Sequence, residues 1–166
     1  MPRILLALLL PIFLSSLPLK AQTTARNTLF FEFGGSGGLF SLNYDGIFKE
    51  KEASAFSARV GLTSFPVSNN GLFFVVPATA NWLYGAGKHK LEAGLGIAPT
   101  VGFQVEQVIS GFFVRGIPVL GYRYQKPEGG FFFRATYTPL ISFIIDFQMQ
   151  QWAGLSFGWS WKGGKK

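Results

Sequence analysis

His89-Lys-Leu-Glu-Ala-Gly-Leu-Gly-Ile-Ala-Pro-Thr-Val-Gly-Phe103 is the stretch whose reading decides the fold. Leu91, Ala93, Leu95, Ile97, Pro99, Val101 and Phe103 recur at every second position, and Lys90, Glu92, Gly94, Gly96, Ala98, Thr100 and Gly102 fill the places between. Side chains of a β-strand point alternately to opposite faces, so this stretch has one greasy face and one small or polar face. A helix would mix the two sets.

The same period recurs beyond residue 27. Residues 28–35 set Leu29, Phe31 and Phe33 against Glu32 and Gly34, and residues 38–48 set Phe40, Leu42, Tyr44 and Phe48 against Ser41, Asn43 and Asp45. Residues 56–63 set Phe56, Ala58, Val60 and Leu62 against Ser57, Arg59, Gly61 and Thr63, and residues 72–84 set Phe74, Val76, Trp82 and Tyr84 against Thr79 and Asn81. Residues 112–125 are the least regular, because Ile117 and Val119 fall on the side of Arg115, Gly121 and Arg123. Residues 131–141 separate Phe131, Phe133, Ala135 and Tyr137 from Arg134, Thr136 and Thr138, and residues 151–161 separate Leu155, Phe157, Trp159 and Trp161 from Gly154, Ser156, Gly158 and Ser160. Turn chemistry at 35–37, 49–52, 68–71, 85–88 and 126–130 divides these segments. Eight such strands predict an all-β, antiparallel, up-and-down transmembrane barrel over residues 28–161. The Gly-rich segment 34–38 reads equally as a kink within one long strand. Centring the turns on 85–88 and 126–129 predicts Glu92 opposite Asn81 and Arg134 opposite Gly121, each pair sharing a face.

Alternation alone also fits a soluble, lipocalin-like barrel, so the composition of the faces decides between lipid and water outside. Eight strands enclose a lumen just wide enough for side chains. The Phe, Trp and Leu face is too bulky for that space, and the Gly, Ser, Thr and charged face suits it. Trp82, Tyr84, Tyr122, Tyr124, Trp159 and Trp161 fall near strand ends on one side, as an aromatic girdle at a membrane interface would. The inward charges are Glu32, Asp45 and Glu92 against Arg59, Lys90, Arg115, Arg123 and Arg134. A lone buried charge is costly, which predicts a plug of salt bridges with Asp45–Arg59 and Glu92–Arg123 as preferred pairs and Glu32 and Arg134 reaching into the same network. The rival is a charged constriction in a narrow pore for small anions, since the bases outnumber the acids.

Composition agrees with a membrane setting: of 166 residues 48% are hydrophobic and 17% aromatic, yet only 14% are charged. One helix-like apolar run exists, Ile4 to Leu17, preceded by Arg3 and followed by Leu19-Lys20-Ala21. That layout predicts a secretory signal peptide over residues 1–21, then a short segment 22–27; an uncleaved anchor helix is the alternative. Part of the net charge of +7 leaves with Arg3 and Lys20, and export argues against nucleic acid as a partner. The absence of cysteine excludes disulfides and thiolate metal sites. The sole histidine, His89, sits between Lys88 and Lys90 at a predicted turn and reads as solvated rather than catalytic or metal-binding. Gly85-Ala86-Gly87-Lys88 is a turn and not a phosphate loop, for the upstream glycine of that motif would fall at Trp82. No catalytic residue, cofactor or metal site is expected.

The last strand carries Gly154, then Phe157, Trp159 and Trp161, an arrangement that resembles the C-terminal signal by which outer-membrane barrels are recognised for assembly. Together with the leader and the eight amphipathic segments, the mature chain resembles the small eight-stranded bacterial outer-membrane barrels of the OmpA/OmpX-like or OmpW-like type. The resemblance implies residence in the outer membrane, insertion by the barrel-assembly machinery, and contact with outer-membrane lipids as a monomer. The chain departs from that pattern in its basic tail, Lys162 to Lys166, which follows the final aromatic. With the N-terminus in the periplasm, the turns at 49–53, 85–88 and 126–129 lie there with the tail, and the connections at 35–38, 66–71, 104–111 and 143–151 lie outside the cell. Those outer connections are short and partly apolar. The expected role is structural or interaction-type and non-enzymatic, with a narrow channel and a lipid-modifying enzyme as alternatives.

Overall fold

The computed structural model describes residues 25–67, 71–104, 107–142 and 147–163; the expected leader and its cleavage position lie outside them. Among the described residues eight antiparallel passes close into a barrel: β1 Asn27–Gly34, β2 Phe40–Lys51, β3 Ser54–Val67, β4 in two pieces Gly71–Val75 and Ala78–Tyr84, β5 His89–Gln104, β6 Gln107–Gln125, β7 in two pieces Gly130–Tyr137 and Leu140–Ser142, and β8 in two pieces Gln148–Gln150 and Ala153–Trp161. Pro77 and Pro139 sit at two of the interruptions, where a residue without an N–H cannot donate to the ladder. Backbone bonds bridge the breaks: Gly61 N donates to Pro77 O at 2.8 Å, Val76 N to Pro99 O at 3.0 Å, and Thr138 N to Trp152 O at 2.8 Å. Every pass pairs with its sequence neighbours, and β1 pairs with β8 from Asn27 opposite Trp161 to Gly34 opposite Gly154. Among the described residues the long strands close on one another, and closure of a sheet is the condition that lipid imposes on β structure.

The Gly-rich segment is a turn and not a kink. Gly34, Gly35 and Gly38 take φ of 70°, 75° and 94°, values that side chains resist, and Gly35–Gly37 forms one 3-10 turn between β1 and β2. Two registers differ from the expectation by two residues. Glu92 faces Leu83 and Arg134 faces Arg123, while Asn81 faces Gly94 and Gly121 faces Thr136. At each turn a pair of glycines at positive φ, Gly85 with Gly87 and Gly129 with Gly130, widens the connection. A slip of two preserves the face, so the inside and outside sets survive it. The strands also run further than the alternation suggested, since β5 ends at Gln104 and β6 begins at Gln107, and Leu140–Ser142 pairs with Gln148–Gln150 within the expected outer connection.

Leu95 is 71% exposed and Trp159 63%, whereas Glu32, Asp45, Arg123 and Arg134 are 0% exposed. A greasy exterior around a polar, charged interior is the inverse of a soluble barrel and the arrangement of a transmembrane one.

Candidate functional site

Inward positions along each strand change character from the end that carries both termini to the end of the outer connections. On β6 they run Gln125, Arg123, Gly121, Val119, Ile117; on β7, Phe132, Arg134, Thr136, Thr138, Leu140. The lumen is therefore layered.

The terminal end holds a neutral polar layer. Gln125 Nε2 donates to Ala25 O at 2.9 Å, Ala25 N donates to Pro127 O at 2.9 Å, and the Thr28 and Ser160 hydroxyls lie 2.9 Å apart. The chain just before β1 thus folds across this mouth, and Ala25 is fully buried there.

Next comes the charged layer. Arg123 grips Asp45 with two nitrogens, Nη1 to Oδ1 at 2.8 Å and Nη2 to Oδ2 at 3.0 Å, while its Nε donates to Glu92 Oε2 at 2.9 Å. Arg134 Nε donates to the same Glu92 oxygen at 3.1 Å, and its Nη1 reaches Glu32 Oε1 at 3.4 Å. Arg59 Nη2 is paired with Glu32 Oε2, and its Nε donates to Asn43 Oδ1 at 3.0 Å. The ions form one alternating sequence, Asp45, Arg123, Glu92, Arg134, Glu32, Arg59, with equal numbers of acids and bases. Such a sequence is electrically neutral, which is what allows six ionic side chains to leave water together.

The predicted partners differ in one respect. Glu92 and Arg123 do pair, but Asp45 and Arg59, although directly opposite across β2 and β3, bond elsewhere. The long guanidinium of Arg59 overshoots its neighbour to reach Glu32 on β1, and the short Asp45 carboxylate is taken from across the lumen, with Ser57 Oγ donating to it at 3.0 Å. Lys90 and Arg115 stand outside the five ion pairs among the described residues. Lys90 Nζ donates to Gly87 O at 2.6 Å and lies within electrostatic reach of Glu50, and the half-buried Arg115 sits 4.8 Å from the centre of the Phe113 ring.

Phe30 and Phe132 are lumen residues that the alternation did not single out, as are Ile47, Ala55 and Leu83, which form a separate buried cluster. Phe30 and Phe132 are both buried, with ring centres 5.0 Å apart. Arg59 and Arg134 lie over Phe30 at 5.4 and 5.8 Å, and Arg123 over Phe132 at 5.4 Å, so cation–π contacts occupy the guanidinium faces while carboxylates take the edges. Their parity with Glu32 and Arg134 was the available signal.

Beyond the charges Val75, Ala98, Ile117, Val119 and Leu140 form a buried apolar cap with Phe65 and Trp152 packed on it. Ile117 and Val119, the irregular positions of the sixth segment, belong to this layer.

On the outer wall, Trp82, Tyr84, Trp159 and Trp161 are exposed near the terminal end, and Tyr122 and Tyr124 half-exposed. Trp82 Nε1 donates to Ser54 Oγ at 2.6 Å, and His89 Nδ1 lies 2.5 Å from the Tyr122 hydroxyl with its ring against Tyr124. His89 is exposed, as expected, but it is the first residue of a strand and part of an aromatic cluster rather than a turn residue. In the C-terminal motif Phe157, Trp159 and Trp161 point outward, and Gly154 points inward against Gly35.

No family model matches this chain, and no curated protein matches it in sequence. Solved structures match it in fold. The crystal structure of Ail, the attachment invasion locus protein of Yersinia pestis, is 12% identical with a TM-score of 0.55 over 84% of this chain and 99% of that one. The structure of the same protein in complex with the heparin analogue sucrose octasulfate is also 12% identical, with a TM-score of 0.51 over 83% of this chain and 98% of that one. The chain shares the architecture of a small eight-stranded outer-membrane barrel.

Proposed function

We propose that this chain serves in the outer membrane as a closed, monomeric, non-enzymatic barrel with a structural or interaction role, its lumen sealed by its own side chains. The observation that carries the reading is the neutral six-ion sequence stacked beneath the apolar cap. A conducting lumen needs a continuous wetted path, and both layers oppose one: the charges satisfy each other, and the cap offers ions nothing to replace their hydration. The sole imidazole is on the outer wall and bonded to Tyr122, which leaves the lumen without a histidine base. Delivery follows from the leader over residues 1–21, and insertion by the barrel-assembly machinery from Gly154, Phe157, Trp159 and Trp161 on the closing strand.

Interaction would use the end of the outer connections. The matched Yersinia protein was solved with a heparin analogue, a polyanion. In this chain the connections 35–39, 68–70, 105–106 and 143–147 contain Glu106 and Asp146 and no lysine or arginine. That charge balance favours a partner that is not a polyanion, and cells carrying the protein should gain no adherence to immobilised heparin.

Single-channel recording in planar bilayers tests the central claim. The wild-type barrel should give no steady current, and a steady ohmic current through it would overturn the plugged reading.

A further inference from the structure

We propose that the outer wall carries a site for an anionic glycerophospholipid, one acyl chain lying in a groove across β3, β4 and β5 and the headgroup phosphate held by Lys49 and Lys51. The groove is an open depression of about 530 Å³, walled by Phe48, Phe56, Trp82 and Leu95 and floored by Ala80 and Ala93. Its size falls within the range of ligand sites, and its surroundings are apolar. Ala80 lies opposite Leu95 and Ala93 opposite Trp82, so the two small residues sit diagonally and leave the wall low between the larger side chains.

A β-bulge builds the polar end. The β2–β3 register shifts between Ile47 and Lys49, so Ile47 is buried in the lumen while Phe48 and Lys49 are both exposed. One extra residue re-aims every side chain after it. Past the bulge Lys49 lies opposite exposed Phe56 and Lys51 opposite Ser54, while Glu50 lies opposite buried Ala55 and acts on Lys90 inside. An alternating Lys-Glu-Lys run is thereby sorted into two outward cations and one inward anion, with Glu52 left at the exposed turn. Trp82, which walls the groove, is anchored to Ser54 beside Lys51. The tryptophan marks interfacial depth, where a phosphate meets the start of its acyl chains.

Charge complementarity selects the occupant. Lys88, Lys126 and Lys162 are also exposed at this end, so with Lys49 and Lys51 the exposed lysines outnumber the exposed acids Glu52 and Glu128, whereas the outer connections hold only Glu106 and Asp146. An anionic headgroup from the leaflet at the terminal end is therefore favoured over a zwitterionic one.

The test uses folded barrel in vesicles of phosphatidylcholine with a minor fraction of phosphatidylglycerol, the brominated acyl chains placed on one lipid or the other at equal mole fraction. Trp82 is read alone after Trp152→Phe, Trp159→Phe and Trp161→Phe, with heat-modified gel mobility reporting the fold. Brominated phosphatidylglycerol should quench Trp82 more strongly than brominated phosphatidylcholine, and Lys49→Gln with Lys51→Gln should reduce the preference by about fivefold per lysine. Ala93→Phe, which fills the groove, should remove the excess quenching at unchanged charge. Equal quenching by the two lipids overturns the proposal, as does a preference that survives both lysine replacements or the filled groove. Should the tryptophan variant not fold, native mass spectrometry of the unaltered barrel with the same two lipids decides: retained phosphatidylglycerol that is lost in the double lysine variant supports the site, and equal retention of both lipids rejects it.

Discussion

Glu92 is the residue on which the interior turns, because one carboxylate oxygen accepts from both Arg123 and Arg134. Removing it leaves two buried guanidiniums undercompensated. Glu92→Ala should therefore destabilise by about 3–5 kcal/mol, the scale for breaking a buried pair, measured as a shift in the urea midpoint of the folded gel band. A double-mutant cycle on Glu92 and Arg123 should show strong coupling. The same cycle on Asp45 and Arg59, which are partners across the ladder but bond to other groups, should show clearly weaker coupling. Comparable coupling in both cycles would contradict the bonding observed. Gly158 makes a second residue-scale case: a Cβ there would sit 2.2 Å from Leu29 O and 2.4 Å from Phe30 Cβ, so the side chain must be absent for the Phe30–Phe132 stack to exist. Gly158→Val should lower the yield of folded barrel, and Gly38→Ala, with open space around its Cβ, should be limited to the cost of its positive φ. The inward direction of each charge was legible from parity. Their bonding order was not, because an arginine spans several positions and bonds whichever carboxylate the closed wall brings within its reach.

At the scale of the strand, β5 gives the cleanest test of which face meets lipid. Leu95 stands outward and Glu92 inward on one continuous run. Leu95→Arg should cost about 2–4 kcal/mol, the value for arginine at the mid-plane, whereas arginine in a soluble barrel's core would abolish folding. Cysteine scanning from 91 to 101 with a lipid-phase quencher should label odd positions and spare even ones; a reversed pattern would reject the orientation. Strand identity was readable because period two holds over most of each strand, although it breaks at the bulge between Ile47 and Lys49. The exact pairing was not, since Gly85, Gly87, Gly129 and Gly130 adopt φ that no alternation encodes.

For the whole molecule, the exported protein should begin near Gln22 and remain in carbonate-washed outer membranes; a mature protein that retains Met1 would contradict the leader. Silence in planar bilayers is the matching functional expectation. A barrel, a greasy exterior and a charged lumen were all determined by the sequence, because alternation and the size of an eight-stranded lumen leave one assignment of faces that fits. Only the tertiary structure decided that Asp45, Arg123, Glu92, Arg134, Glu32 and Arg59 form a single neutral sequence, that Phe30 and Phe132 lie beneath it, and that Ile117 and Val119 cap it. These contacts join strands far apart in the chain, such as β2 to β6 and β1 to β7. The geometry that unites them is closure of the wall and the stagger of its strands, and neither is a property of any local run of residues.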